Sequence, residues 1–184
     1  MLPENKFQTE VIKEFKEEYL KAILKLEPLF PIKIQDRDEK VQMNLKTAAN
    51  INVFLRKDGQ IVGWLLATPH NDAVKELRND DTEIKEDCGR YYIDKLAVLP
   101  EFRRGFTFLK LIYAFAEEAN RSGIYKYSTH VLCGNGLNKI IMRFFKHKLT
   151  LRRKVSLAMY GDALFEYLEG TYMIESTQHG SQKQ

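Results

Sequence analysis

Cysteine is scarce in this chain. Cys88 and Cys133 are its two thiols and share no metal-ligand spacing, so neither a disulfide framework nor a metal site is expected. Long apolar runs are missing as well. The longest, such as Ile61–Thr68, fall far short of the roughly 20 residues that a membrane helix requires, and nothing at the start resembles a secretory signal. A cytoplasmic protein with no membrane partner is therefore expected. Nor is either charge in large excess: 29 Lys and Arg against 25 Asp and Glu leave a net charge of +4. That favours an anionic ligand, but without the basic patch that DNA binding needs. Internal repeats and low-complexity tracts are absent. What remains, 184 residues of which 44% are hydrophobic, fits one domain with a sizeable core. We place it at residues 1–174, with a disordered tail over 175–184.

The informative stretch runs from Gly89 to Asn120, where the hydrophobic period changes. Tyr91–Val98 has the β-branched, aromatic and aliphatic content of a strand, whereas Phe108, Leu111, Ile112, Phe115, Ala116 and Ala119 recur at helical spacing. Between them Arg103, Arg104 and Gly105 precede a helix start, whose unpaired N–H groups suit a phosphate. Upstream, Ile51–Arg56 and Gln60–Ala67 flank Asp58-Gly59, a hairpin signal. Downstream, strands are predicted at Tyr125–Cys133 and Leu151–Tyr160, helices at Leu137–Lys148 and Asp162–Leu168, and an edge strand at Thr171–Ile174. Near the start, Thr9 is placed to cap a helix carrying Ile12, Phe15, Tyr19, Ile23 and Leu26, with no strand before it and residues 1–8 unstructured. Asp36–Asn50 is read as a second helix. The charge-rich segment Pro69–Gly89 is read as a loop with one helical turn near Ala73–Leu77. This order of elements implies an α/β (α+β) fold, a mixed sheet flanked by helices.

Ile93-Asp94-Lys95-Leu96-Ala97-Val98-Leu99-Pro100-Glu101-Phe102-Arg103 resembles the central motif of the GNAT superfamily of acyl-CoA N-acyltransferases. The hairpin with Val62-Gly63-Trp64 precedes it as in that family, and Asn138 to Phe145 resembles the family's second motif. The resemblance covers roughly Asn52–Tyr160. It departs at the phosphate turn, where Phe106 and Phe108 stand where the family has small residues. The resemblance implies a mostly antiparallel GNAT-like sheet and acetyl-CoA as co-substrate. It implies an acetyl or other acyl group passed directly to the primary amine of a small molecule or peptide. It further implies that the amides of Leu96, Ala97 and Val98 meet the thioester arm, and that Arg103, Arg104, Gly105, Phe106, Thr107 and Phe108 grip the diphosphate beside Asn138. The alternatives are a binding or regulatory module that has lost coenzyme A, and an acyltransferase for longer acyl donors. A homodimer is compatible with all three.

Strand alternation puts Tyr92, Asp94, Leu96 and Val98 on one face, with Asp94 the carboxylate closest to the reacting centre. Asp94 is either the base or a surface charge paired with a nearby Lys. The family's acid, a Tyr, falls at Phe145, so Tyr92, Cys133 or water would have to protonate the thiolate. His70 and His130 are each either a proton shuttle or structural.

Overall fold

In the computed structural model, residues 7–31, 35–134, 136–145 and 148–172 are described. The chain forms β1 (Gln8–Val11), α1 (Glu17–Leu26), α2 (Asp38–Lys46), β2 (Ile51–Lys57), β3 (Gln60–Pro69), α3 (His70–Leu77) and β4 (Arg90–Val98). It continues through α4 (Phe108–Arg121), β5 (Lys126–Leu132), α5 (Leu137–Phe145), β6 (Leu149–Leu157) and β7 (Ala163–Thr171). The seven strands make one sheet in the order β1-β2-β3-β4-β5-β7-β6. Every neighbouring pair is antiparallel except β4 and β5. The expected mixed, mostly antiparallel sheet flanked by helices is what forms.

Each helix sits where its apolar stripe is needed. Leu111, Phe115, Ala116 and Ala119 of α4 pack on one face of the sheet against Val53, Leu55, Val62, Leu65 and Val98. Burying each large side chain there contributes about 1.5–3 kcal/mol. Gly63 allows α4 to come this close, since a Cβ would lie 3.0 Å from the Ala97 carbonyl and 3.4 Å from Leu111. On the opposite face Tyr19, Leu20, Ile23 and Leu26 of α1 and Val41 and Leu45 of α2 cover Phe54, Trp64, Leu66 and Ala97. Farther along that face α3 packs Ala73, Val74 and Leu77 against Tyr92 and Tyr167. The β2–β3 hairpin turns through Asp58 and Gly59, both left-handed at φ 50° and 81°, as a two-residue turn requires.

Four predicted elements differ. The opening strand exists as β1, and α1 begins at Glu17 rather than near Thr9, because Gln8–Val11 pairs with Val53–Arg56 and takes the backbone away from helix. The single helical turn expected near Ala73–Leu77 is a two-turn helix, α3, that starts already at His70. Asp162–Leu168 is strand β7 and not a helix. It lies between β5 and β6, so Phe165, Glu166, Tyr167 and Leu168 are all buried and no polar alternation marks it as a strand. The sheet's edge is β6 instead of Thr171–Ile174, and residues 173–184, including the predicted tail, lie outside the described residues. Among the described residues no helix is long and apolar enough to cross a membrane.

Candidate active site

β4 and β5 pair at three positions only, Arg90, Tyr91 and Tyr92 opposite Lys126, Tyr127 and Ser128. Beyond them β4 keeps its ladder to β3 as far as Val98 while β5 keeps its ladder to β7 as far as Leu132. The two strands thus part, and a cavity of about 170 Å³ opens between them, lined among others by Tyr92, Asp94, Leu96, Phe115, His130 and Tyr160.

A bulge in β4 decides what faces this cavity. Leu66 pairs with Lys95 and Ala67 with Ile93, leaving Asp94 as an extra residue. The bulge shifts the alternation, which corrects the predicted face. Asp94 and Lys95 both turn towards α2 and α3 with Tyr92, whereas Leu96 and Val98 turn towards α4. Main-chain directions follow too. The Leu99 N–H donates to the Val62 carbonyl at 2.9 Å, so Ala97 also bonds towards β3 while the N–H and C=O of Leu96 and Val98 point to the open side. The Val98 carbonyl there accepts from Arg103 Nε at 2.8 Å. Of the three amides expected at a thioester arm, those of Leu96 and Val98 face the open side and that of Ala97 faces β3.

Burial pushes the Asp94 carboxyl up to about 6, against the pull of Lys40 and Lys95 and with the help of Asp36 and Glu76. Lys95 is not its partner in a tight pair. Its ammonium is buried between Glu27 at 2.9 Å and Asp36 at 2.8 Å, over the ring of Phe30. Those contacts pin the α1–α2 connection beside the cavity, which Phe30 also lines. Tyr92 is buried, which raises its phenol well above the usual range. Its hydroxyl lies 3.1 Å from His130 Nδ1, and His130 Nε2 lies 3.0 Å from an Asp81 carboxylate oxygen that also accepts from Arg153. Burial would raise Asp81, yet the hydrogen bonds from His130 and Arg153 hold it at about 2. Burial lowers His130. Tyr160, at the turn between β6 and β7, is pushed up to about 12 by burial and by the charge of Asp94.

His70 has a similar but separate setting. It is buried, with Nδ1 2.8 Å from Ser128 Oγ and Nε2 2.9 Å from the Lys85 carbonyl, and it is not part of the cavity wall. Its ring ties β5 to the segment after α3. Cys133 donates its N–H to the Leu164 carbonyl and is likewise not part of that wall.

At the turn, Arg103 and Arg104 are exposed, Thr107 is buried with its hydroxyl on the Arg104 carbonyl, and Gly105 and Phe106 are both left-handed at φ 66° and 58°. The Phe106 ring is half-exposed and Phe108 packs into the core beneath α4, so neither forms part of the cavity wall. Asn138 lies in the first turn of α5, and its side chain and that of Phe145 lie outside the described residues. The residues the sequence did not single out are Asp81, hidden in the charge-rich segment read as a loop, and Tyr160, which carries no spacing signal. Among the described residues no cluster of His, Cys, Asp and Glu could hold a metal ion.

A split sheet with a bulged central strand and a turn leading into a helix defines an acyltransferase fold. The family model for the acetyltransferase (GNAT) family matches residues 11–148, most of the chain, and the chain belongs to that family. Solved structures with the same fold include the ribosomal-protein-S18-alanine N-acetyltransferase of Escherichia coli, 13% identical at a TM-score of 0.61 over 94% of this chain and 98% of that one. The PaiA N-acetyltransferase of Thermoplasma acidophilum, in complex with coenzyme A, is 11% identical at a TM-score of 0.60 over 90% and 99%. The loading GNATL domain of CurA from Lyngbya majuscula is 14% identical at a TM-score of 0.67 over 91% and 98%. No curated protein matches the chain in sequence.

Proposed function

We propose that this chain transfers an acetyl or other acyl group from its coenzyme A thioester to the primary amine of a small molecule or peptide. The observation that carries the reading is the open edge of β4 beside Asp94: main-chain groups of Leu96 and Val98 that no neighbouring strand pairs, next to a carboxyl that burial pushes up to about 6. Family membership supports the donor class, as does the coenzyme A held by the Thermoplasma acidophilum enzyme of the same fold. Coenzyme A would supply the activated acyl group.

In this reading Leu96 N–H donates to the thioester oxygen, a preorganised donor worth on the order of 3 kcal/mol in the transition state. Asp94 takes a proton from the acceptor ammonium, a task suited to a carboxyl with a raised pKa. Tyr92, neutral at physiological pH, protonates the departing sulfur. Arg103, Arg104 and the backbone from Gly105 to Phe108 hold the diphosphate. Asn138 would belong to the pantetheine side.

A second reading has one observation in its favour. Phe106 occupies a left-handed backbone position that glycine would fill more easily, as in a module that has given up coenzyme A. Thermal unfolding with acetyl-CoA separates the two. Ligand at 100 times its dissociation constant adds about 2.7 kcal/mol of stability, and release of the free thiol with a panel of amines then reports transfer. No thermal shift and no thiol release would sink the enzyme reading.

A further inference from the structure

Tyr92, His130, Asp81 and Arg153 come from β4, β5, the segment after α3, and β6, and they meet in one hydrogen-bonded row ending at the cavity. The Asp81 carboxylate is an acceptor only, and the Arg153 guanidinium is a donor only. Their contact therefore fixes the direction of the next bond. His130 Nε2 must carry the proton that reaches Asp81, which leaves Nδ1 of the neutral ring with its lone pair facing the Tyr92 hydroxyl. Tyr92 donates in turn, and its oxygen accepts from the His130 backbone N–H, which leaves one lone pair for the cavity side.

We propose that Asp81 and Arg153 are positioning residues for proton transfer: they lock His130 in the Nε2–H tautomer, so that Tyr92 can pass its proton to Nδ1 while taking one from the acceptor nitrogen. This rests on the acyltransferase reading above. An acceptor ammonium must lose two protons, and Asp94 disposes of only the first. As the nitrogen–carbon bond forms, the second proton moves to Tyr92 Oη, and Tyr92's own proton moves to His130 Nδ1. The resulting imidazolium is stabilised by Asp81 at 3.0 Å. As the carbon–sulfur bond breaks, the movement reverses: His130 returns its proton to Tyr92, and Tyr92 delivers one to sulfur. One proton has travelled from nitrogen to sulfur, and the row is restored.

Two features distinguish this row from ordinary buried hydrogen bonding. His70 has the same pattern of a hydroxyl at Nδ1, yet its Nε2 ends on the Lys85 carbonyl, a neutral acceptor that stabilises an imidazolium far less than a carboxylate does. His130 instead ends on a charged group that is itself immobilised, because Arg153 also stacks on the Tyr167 ring at 4.5 Å. The other groups packed on His130 are the Tyr167 and Phe165 rings of β7, at 4.8 and 6.4 Å.

The experiment is nitrogen NMR of the full chain labelled in histidine, with His130→Gln to assign the signal. At neutral pH His130 is expected as the Nε2–H tautomer; an imidazolium or an Nδ1–H ring overturns the proposal before any activity is measured. Asp81→Asn, whose amide can donate to Nε2, should flip the tautomer and lower kcat by on the order of 100-fold, with coenzyme A affinity unchanged. A flipped tautomer with unchanged kcat overturns the relay. Should Asp81→Asn fail to fold, Arg153→Gln serves the same comparison, and a kcat within two-fold of the parent together with mobile His130 signals overturns it. A parent chain that binds acetyl-CoA but acylates no amine would defeat the acyltransferase reading and the relay together, an outcome distinct from either variant result.

Discussion

The two ends of β4's open edge are built in opposite ways. At the bulge, charged groups are buried and tied to fixed partners: Lys95 to Glu27 and Asp36, Asp81 to His130 and Arg153. At the turn that follows, Arg103 and Arg104 are exposed, and the backbone passes through two consecutive left-handed residues. Under the proposed reaction the contrast follows from what each end would do. Chemistry on a thioester gains from dipoles that do not reorganise, and a dry, over-determined setting makes each of them stronger. Holding a flexible, highly charged tail asks for reach, which exposed guanidinium groups supply at little desolvation cost. Variants at the bulge should therefore alter turnover, and variants at the turn should alter affinity.

The largest expected effect tests the first half. Asp94→Asn should reduce kcat by about 10²–10⁴-fold while the dissociation constant of coenzyme A, measured by calorimetry, stays unchanged. In the parent, kcat/KM should climb as pH rises through about 6, where Asp94 loses its proton, and the variant should lack this rise. Stability moves the other way. The folded pKa of Asp94 is raised above its usual 3.8, so the parent loses stability as pH climbs from there to about 6, and Asp94→Asn should melt higher at pH 8. Asp81, held at about 2, has the opposite sign: its contribution is present above 3.8 and is lost as pH falls towards 2. A single pH-dependent melting series on the two variants separates a reactive carboxyl from an anchoring one.

Arg103→Ala tests the second half. It should raise the dissociation constant of coenzyme A by about ten-fold, the order of one charge-assisted hydrogen bond, and leave kcat at saturation unchanged. A fall in kcat instead would show that the turn also shapes the chemistry through the Arg103 bond to the Val98 carbonyl. His70→Gln is the control for burial. It removes a buried ring between Ser128 and Lys85, so it should cost about 1–3 kcal/mol of stability and leave turnover within two-fold.

What the sequence revealed follows the same division. The central strand, α4 and the β2–β3 hairpin were legible because each carries a local signal: period 2, period 3.6, or Asp-Gly at a turn. Asp94 was legible as a candidate for the same reason. Its company was not, because a bulge is set by pairing with β3 and leaves no mark in β4 itself, so Asp94 and Leu96 were assigned to one face when they occupy two. Asp81 and Arg153 are 72 positions apart, and only the sheet order brings them to His130. Strand β7 was hidden by its own burial. Local chemistry reads out of local sequence, whereas a hydrogen-bonded row assembled from four elements does not.

The smallest expected effect sharpens the comparison most, because it acts on the turn without touching a charge. At φ 58° the Phe106 backbone stands in the left-handed region, which costs a residue with a side chain roughly 1–2 kcal/mol. Glycine gives back about 0.5–1 kcal/mol through its freer unfolded chain. Through the backbone alone Phe106→Gly should thus gain up to about 1 kcal/mol, offset by whatever the half-buried ring contributes, and it should lower the dissociation constant of coenzyme A a few-fold by letting the diphosphate approach the backbone. Gly105→Ala is its mirror. Nothing lies within 4 Å of where the new methyl would sit, so any loss of stability, expected near 1 kcal/mol, reports the φ of 66° alone. If Phe106→Gly weakened coenzyme A binding instead, the ring would be part of the grip, and this turn would hold its ligand with an aromatic face.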